Sequence, residues 1–161
     1  MIAYADTSFL CSIYREQEHS QIADAYYDSM EEPLFFTALL EFEFVQAIQL
    51  QVWLHSGDKT KGYSQREAEQ MIADWEEDVA GGQNEIVPCD MNAVFRLARV
   101  YSQQRTSGGG HRTLDILHVA TAVHLGAKIF LTFDNRQQVL AKYIGLQVPA
   151  SFRAHRDSPR Y

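Results

Sequence analysis

Four acidic residues stand where a short apolar run gives way to a helix, or in the first turns of one: Asp6, Glu41, Asp115 and Asp134. Taken singly, each reads as a helix cap or as a first-turn acid favoured by the helix dipole. Gathered at one edge of a sheet, they would repel one another unless a positive charge lay between them. Hard oxygen ligands, with no cysteine or paired histidine among them, select Mg²⁺ or Mn²⁺. Such acidic metal sites serve phosphoryl transfer or phosphodiester hydrolysis. The metal lowers the pKa of water and stabilises the charge of the in-line transition state.

The stretch that must position two of these acids is Arg112 to Gln138. Asp115 opens a helix that is apolar or small nearly throughout from Ile116 to Leu125, and a helix apolar on most sides is a buried one. Gly126 stops it. Lys128 to Phe133 is a run of strand-forming residues. Asp134 ends that strand, and Asp134 or Asn135 caps the next helix. The N-terminus repeats the grammar: Met1 to Ala5 is a strand, Asp6-Thr7-Ser8 follows, and a helix resumes at Phe9.

Elsewhere the chain alternates in the same way. Gln17 to Met30 is amphipathic through Ile22, Ala23, Tyr26, Tyr27 and Met30, and Pro33 breaks it. Leu34 to Phe36 is a short strand, and Thr37 caps a long helix over Ala38 to Leu54. Glu41 and Glu43 compete within its first turns. Glu41 heads a stripe through Phe44, Val45, Ile48 and Val52, whereas Glu43 heads Gln46, Ala47 and Leu50, so Glu41 is the acid that burial must explain. Ser64 with Glu67 is a capping box for a helix reaching about Val79. Its acids, Glu67, Glu69, Asp74, Glu76, Glu77 and Asp78, read as a solvated face. Glu85 to Pro88 is a strand. Asp90 caps a helix from about Asn92 to Gln104, and Thr106 to His111 (TSGGGH) reads as a hinge loop. After Asp134 comes a helix carrying Val139, Leu140 and Tyr143, then a last strand over Leu146 to Val148. Pro149 to Tyr161 reads as a loosely packed tail.

At 161 residues and 46% hydrophobic content the chain is expected to form one domain over residues 1–150, with a C-terminal tail at 151–161. A formal charge of −7 argues against a large basic nucleic-acid face, although a bound divalent cation would offset a carboxylate cluster locally. Cys11 and Cys89 read as reduced core thiols. No leader-like N-terminus and no apolar span of membrane length is present, so a soluble, cytoplasmic protein without a membrane partner is expected. The order β-α-α-β-α-α-β-α-α-β-α-β implies an α/β fold with a central, mostly parallel sheet of four to five strands and helices on both faces.

The sequence resembles the PIN-domain ribonucleases of the VapC type, the toxins of bacterial toxin–antitoxin pairs. YADTSFL, TALLEFE, TLDILHVATA and FLTFDNRQ carry the resemblance, in that order from Asp6 to Gln138. It implies a PIN-like three-layer α/β/α sandwich. It implies that Asp6, Glu41, Asp115 and Asp134 form the catalytic, metal-binding quartet for Mg²⁺ or Mn²⁺. Ser8 and Thr132 match polar positions behind the ligands, with Asn135 beside them. It also implies an RNA substrate cut to 5′-phosphate and 3′-hydroxyl ends, a cognate antitoxin and a homodimer. The chain exceeds the compact members in the Ser64–Val79 helix and its loop. His118 lies on the face of Asp115 and reads first as a hydrogen-bonded histidine, and Arg112 and Arg136 flank the site.

Two other classes were weighed. A small-molecule phosphatase using a covalent aspartyl intermediate wants Asp-x-Asp after the first strand, and Asp6-Thr7-Ser8 lacks the second Asp. A non-catalytic binding module on the same fold has no need of four convergent acids.

Overall fold

The computed structural model describes residues 3–152. In chain order its elements are β1 (Ala3–Ala5), α1 (Thr7–Tyr14), α2 (Ser20–Asp28), β2 (Leu34–Phe36), α3 (Ala38–Gly57), α4 (Gln65–Gly81), β3 (Asn84–Ile86), α5 (Met91–Gly109), α6 (Thr113–His124), β4 (Ile129–Leu131), α7 (Asn135–Ile144) and a 3₁₀ turn at Ala150–Phe152. The four strands form a parallel sheet in the order β3-β2-β1-β4. β1 pairs with β4 in the register Ala3 to Ile129 and Ala5 to Leu131, and β2 pairs with β3 in the register Leu34 to Asn84. The fold is therefore the expected α/β class. The expected fifth strand shrinks to one parallel bridge between Ile129 and Gln147.

The chain divides into two units. The first holds residues 1–8 and 90–161, the second 9–89. In the first, β1 is wholly buried, and Ile116, Val119, Ala120, Phe130, Leu131 and Leu140 are buried with it. α6 is buried from Asp115 to Ala122 apart from Leu117, as its apolar sequence requires. α7 departs from expectation. Its buried residues are Gln137, Gln138, Leu140 and Ala141, while Val139 and Tyr143 are exposed. Both glutamines are anchored by hydrogen bonds: Gln138 Nε2 donates to the carbonyls of Thr132 (3.0 Å) and Phe152 (2.6 Å), and Gln137 Nε2 to Asp115. Phe152 is buried and stacks on Phe133 at 4.7 Å, so residues 149–152 belong to the packed fold. The rest of the expected tail lies outside the described residues.

The expected hinge over Thr106 to His111 is also different. α5 continues through Gly108 and Gly109 and ends at Gly110, whose φ of 63° is the left-handed conformation glycine adopts cheaply. A side chain on Gly109 would strike the imidazole of His111, which packs against it. The glycines therefore end a helix and make room for a buried ring.

In the second unit, Thr37 caps α3 and Leu40, Phe44 and Ile48 form its buried stripe. The capping box of Ser64 and Glu67 opens α4, which buries Ala68, Met71 and Trp75. Trp75 packs on Phe36 and Phe44 at ring distances of 5.8 and 6.2 Å. Fully burying such a side chain contributes about 1.5–3 kcal/mol. Cys11 and Cys89 are half-buried thiols outside any disulfide.

Asp78 does not belong to the solvated face of α4. Its Oδ2 accepts from Tyr14 (2.8 Å), and the single proton of the Tyr27 hydroxyl is shared between that oxygen (3.3 Å) and Asn84 Oδ1 (3.1 Å). Buried hydroxyls need such partners, and a carboxylate is the stronger acceptor. Burial, then the hydrogen bond to Asp78, raises the Tyr14 hydroxyl above its ordinary 10.0. Burial, then the Asp78 charge, pushes Tyr27 up to about 12. Folded-state values above the unfolded ones mean that this stability is intact below the ordinary tyrosine value and is lost as pH rises past it. Ultraviolet titration of tyrosine ionisation should show these two phenols ionising only with alkaline unfolding. Ionisation of every tyrosine near its ordinary value, with the fold intact, would contradict the cluster.

Candidate metal and active site

The site is built where β1 and β4 end. The backbone N–H of Asp6 still donates to the Leu131 carbonyl (3.0 Å), so Asp6 continues the pairing of the two strands and is fixed by it. Its side chain is 2% exposed. Ser8 Oγ donates to Oδ1 at 2.6 Å and Thr132 Oγ1 to Oδ2 at 2.7 Å. The same hydroxyls accept from the backbone: Phe133 N–H donates to Ser8 Oγ (2.9 Å) and Asp134 N–H to Thr132 Oγ1 (3.0 Å). Because each hydroxyl has one proton, an incoming N–H leaves that proton for the carboxylate. Bonds of hydroxyls to an ionised carboxylate are among the strong ones.

Asp134 is the N-cap of α7, where Oδ1 accepts from the N–H groups of Arg136 (2.7 Å) and Gln137 (3.1 Å). Both bonds use one oxygen, so capping does not prevent the other from serving as a ligand. Asn135 is exposed at the first position of α7. Asp115 is the third residue of α6, which starts two residues earlier than expected. Its Oδ2 accepts from the N–H of Arg112 (2.9 Å), its Oδ1 accepts from Gln137 Nε2 (3.2 Å), and it is 8% exposed. Hydrogen bonds thus link three of the expected acidic residues: the Asp6 carboxylate through Thr132 to the backbone N–H of Asp134, and the Asp134 carboxylate through the backbone and side chain of Gln137 to Asp115.

Glu41 belongs to the other unit, half-buried in the first turn of α3, with its N–H on the Thr37 carbonyl. The stripe it heads buries Phe44 and Ile48, whereas Gln46 and Leu50 of the Glu43 stripe are exposed. Glu43 is half-buried like Glu41, so burial of the acids themselves does not separate them. His118 is fully buried, with Nδ1 3.2 Å from the Tyr4 hydroxyl, which makes it a hydrogen-bonded core histidine. His124 is exposed. Arg112 is exposed, and Arg136 donates to the Gly110 carbonyl at 3.3 Å.

Among the described residues, no three or more His, Cys, Asp or Glu side chains are gathered closely enough to cage a metal ion by themselves. The donor chemistry nonetheless fits Mg²⁺, which is held through one or two carboxylates plus substrate phosphates more often than in an all-protein cage. Sequence reasoning passed over Gln137. The available signal was its spacing, three and four residues before Leu140 and Ala141, which places it on the buried face of α7.

Paired parallel strands ending in a buried aspartate, with acids at the following helix starts, define an α/β protein with an acidic site at the carboxyl ends of its strands. That is the edge at which such sheets bind ligands. The chain belongs to the PIN domain family, whose model matches residues 3–143. Comparison with curated proteins gave no match. Among solved structures, it is similar to FitAcB from Neisseria gonorrhoeae, with a TM-score of 0.59 and 17% identity over 96% of this chain and all of that one. It is also similar to FitAB bound to an IR36 DNA fragment, with a TM-score of 0.63 and 20% identity over 98% of this chain and all of that one.

Thr132→Val keeps the shape of a fully buried side chain but deprives both Asp6 Oδ2 and the Asp134 N–H of a partner. It should cost about 1–3 kcal/mol in a urea denaturation series. A loss within the roughly 0.5 kcal/mol scatter of neutral surface changes would show that this hydroxyl does not hold the site.

Proposed function

We propose that this protein is a Mg²⁺- or Mn²⁺-dependent endoribonuclease and the toxin of a toxin–antitoxin pair. The observation that carries the reading is the network joining Asp6, Asp134 and Asp115 in a chain of the PIN domain family. Asp6, Asp115 and Asp134 are proposed as ligands, with Glu41 as the fourth acid. A divalent cation bound there supplies charge stabilisation for a phosphodiester and acidifies water. Ser8 and Thr132 keep Asp6 in one orientation, because both its oxygens are held. Arg112 and Arg136, near the same helix starts, offer cationic contacts to phosphate in a chain of net charge −7.

Two observations support protein partners, proposed as a cognate antitoxin and a second copy of the chain. α3 exposes Phe42, Leu50 and Trp53, and large apolar side chains exposed together mark interaction surfaces. The similar solved structure of FitAB is bound to DNA, which suits a toxin held by a DNA-binding antitoxin. Among the described residues no helix is long and apolar enough to cross a membrane. A cytoplasmic location is proposed with the RNA substrate.

Purified protein free of any antitoxin should cleave RNA with Mg²⁺ or Mn²⁺ and stop on addition of EDTA. Asp6→Asn and Asp115→Asn should each lose most of the cleavage, by about 100-fold or more, while circular dichroism stays native. The amide is nearly isosteric but lacks the negative charge through which a carboxylate holds a divalent ion. Wild-type rates in both variants would remove the assignment.

Glu41 and Glu43 give a second test. Glu41→Gln should lower cleavage and Mn²⁺ affinity far more than Glu43→Gln, measured side by side. The reverse order would place Glu43 at the metal.

A further inference from the structure

Gln137 is the third residue of α7 and only 6% exposed. Its Nε2 donates to Asp115 Oδ1 at 3.2 Å, and its own N–H donates to Asp134 Oδ1 at 3.1 Å. Its Oε1 is buried and has no hydrogen-bond partner in the structure. An amide oxygen buried without a partner is costly, and a residue that carries one in a native fold needs a reason. Reversing the amide would not supply one, since Oε1 would then face a carboxylate oxygen. The amide oxygen shares its carbon with the nitrogen that holds Asp115, so it sits beside that carboxylate. An acceptor oxygen buried next to an anionic group is suited to a cation, and amide carbonyls are accepted ligands of hard divalent ions.

We propose that Gln137 is an oxygen donor to the divalent cation and the positioning group for Asp115. The inference rests on the metal reading of the site given above. One side chain then does two things: its nitrogen fixes a charged ligand, and its oxygen adds a neutral one without increasing the repulsion among the carboxylates.

The test is Mn²⁺ binding to the full chain, followed by the paramagnetic resonance of free Mn²⁺, with thermal melts in EDTA and in Mn²⁺. Gln137→Met is similar in length and apolar. It should bind Mn²⁺ about tenfold or more weakly. Gln137→Glu should bind Mn²⁺ more tightly than wild type and melt lower in EDTA, because its added charge faces Asp115. Should the Met variant fail to fold, the sign of the Glu effect decides. Unchanged or weaker Mn²⁺ binding in Gln137→Glu, or unchanged binding in Gln137→Met, overturns this proposal while wild-type binding keeps the metal site. Wild-type protein that binds no Mn²⁺ overturns the metal reading itself, and this inference with it.

Discussion

The structure around the site depends on how two hydroxyls spend their single protons. Where β1 and β4 stop pairing, the N–H groups of Phe133 and Asp134 need acceptors, and Ser8 and Thr132 provide them. Each hydroxyl in turn donates to Asp6, one to each carboxylate oxygen. The backbone's own need for partners thus orients a buried carboxylate. A carboxylate oxygen holding one hydroxyl can still coordinate a cation, since it has two lone pairs. The same economy recurs at Asp134, where one oxygen serves two amides.

Much of this was legible in the sequence because capping is local chemistry. Thr37, the Ser64–Glu67 pair, Asp90 and Asp134 all cap the helices they were expected to cap. The buried character of α6 followed from its unbroken apolar run, and the parallel sheet from the alternation of elements. The misses share a cause: a residue's type was taken for its environment. Asp78 looks like one more surface acid until two tyrosines from elsewhere in its unit donate to it. Gln137 and Gln138 look like the polar side of α7, and long-range acceptors make them its buried side. The glycines at 108 and 109 look like a hinge, yet they are the last residues of α5, with His111 against Gly109. No local rule reports a partner that lies many residues away.

Asp115 and Asp134 show why capping and ligation are readings of one feature. Both sit at helix starts, where free N–H groups and the dipole favour negative charge in any protein. That preference brings carboxylates to the edge of the sheet and orders them without a metal. On the proposed metal reading, a divalent cation would meet carboxylates whose rotamers are already fixed, with the entropy of ordering them offset by folding.

The latch at Gln138 ties residues beyond the family match to the acidic site. The family match ends at residue 143, yet Gln138 reaches on to the carbonyl of Phe152, whose ring covers Phe133. Gln138 also holds the carbonyl of Thr132, the residue that clasps Asp6. The turn at Ala150–Phe152 is therefore wired to the acidic site through a single amide group. A chain cut at residue 143 would retain Asp6, Glu41, Asp115 and Asp134 and lose the strap that steadies Thr132, just past β4.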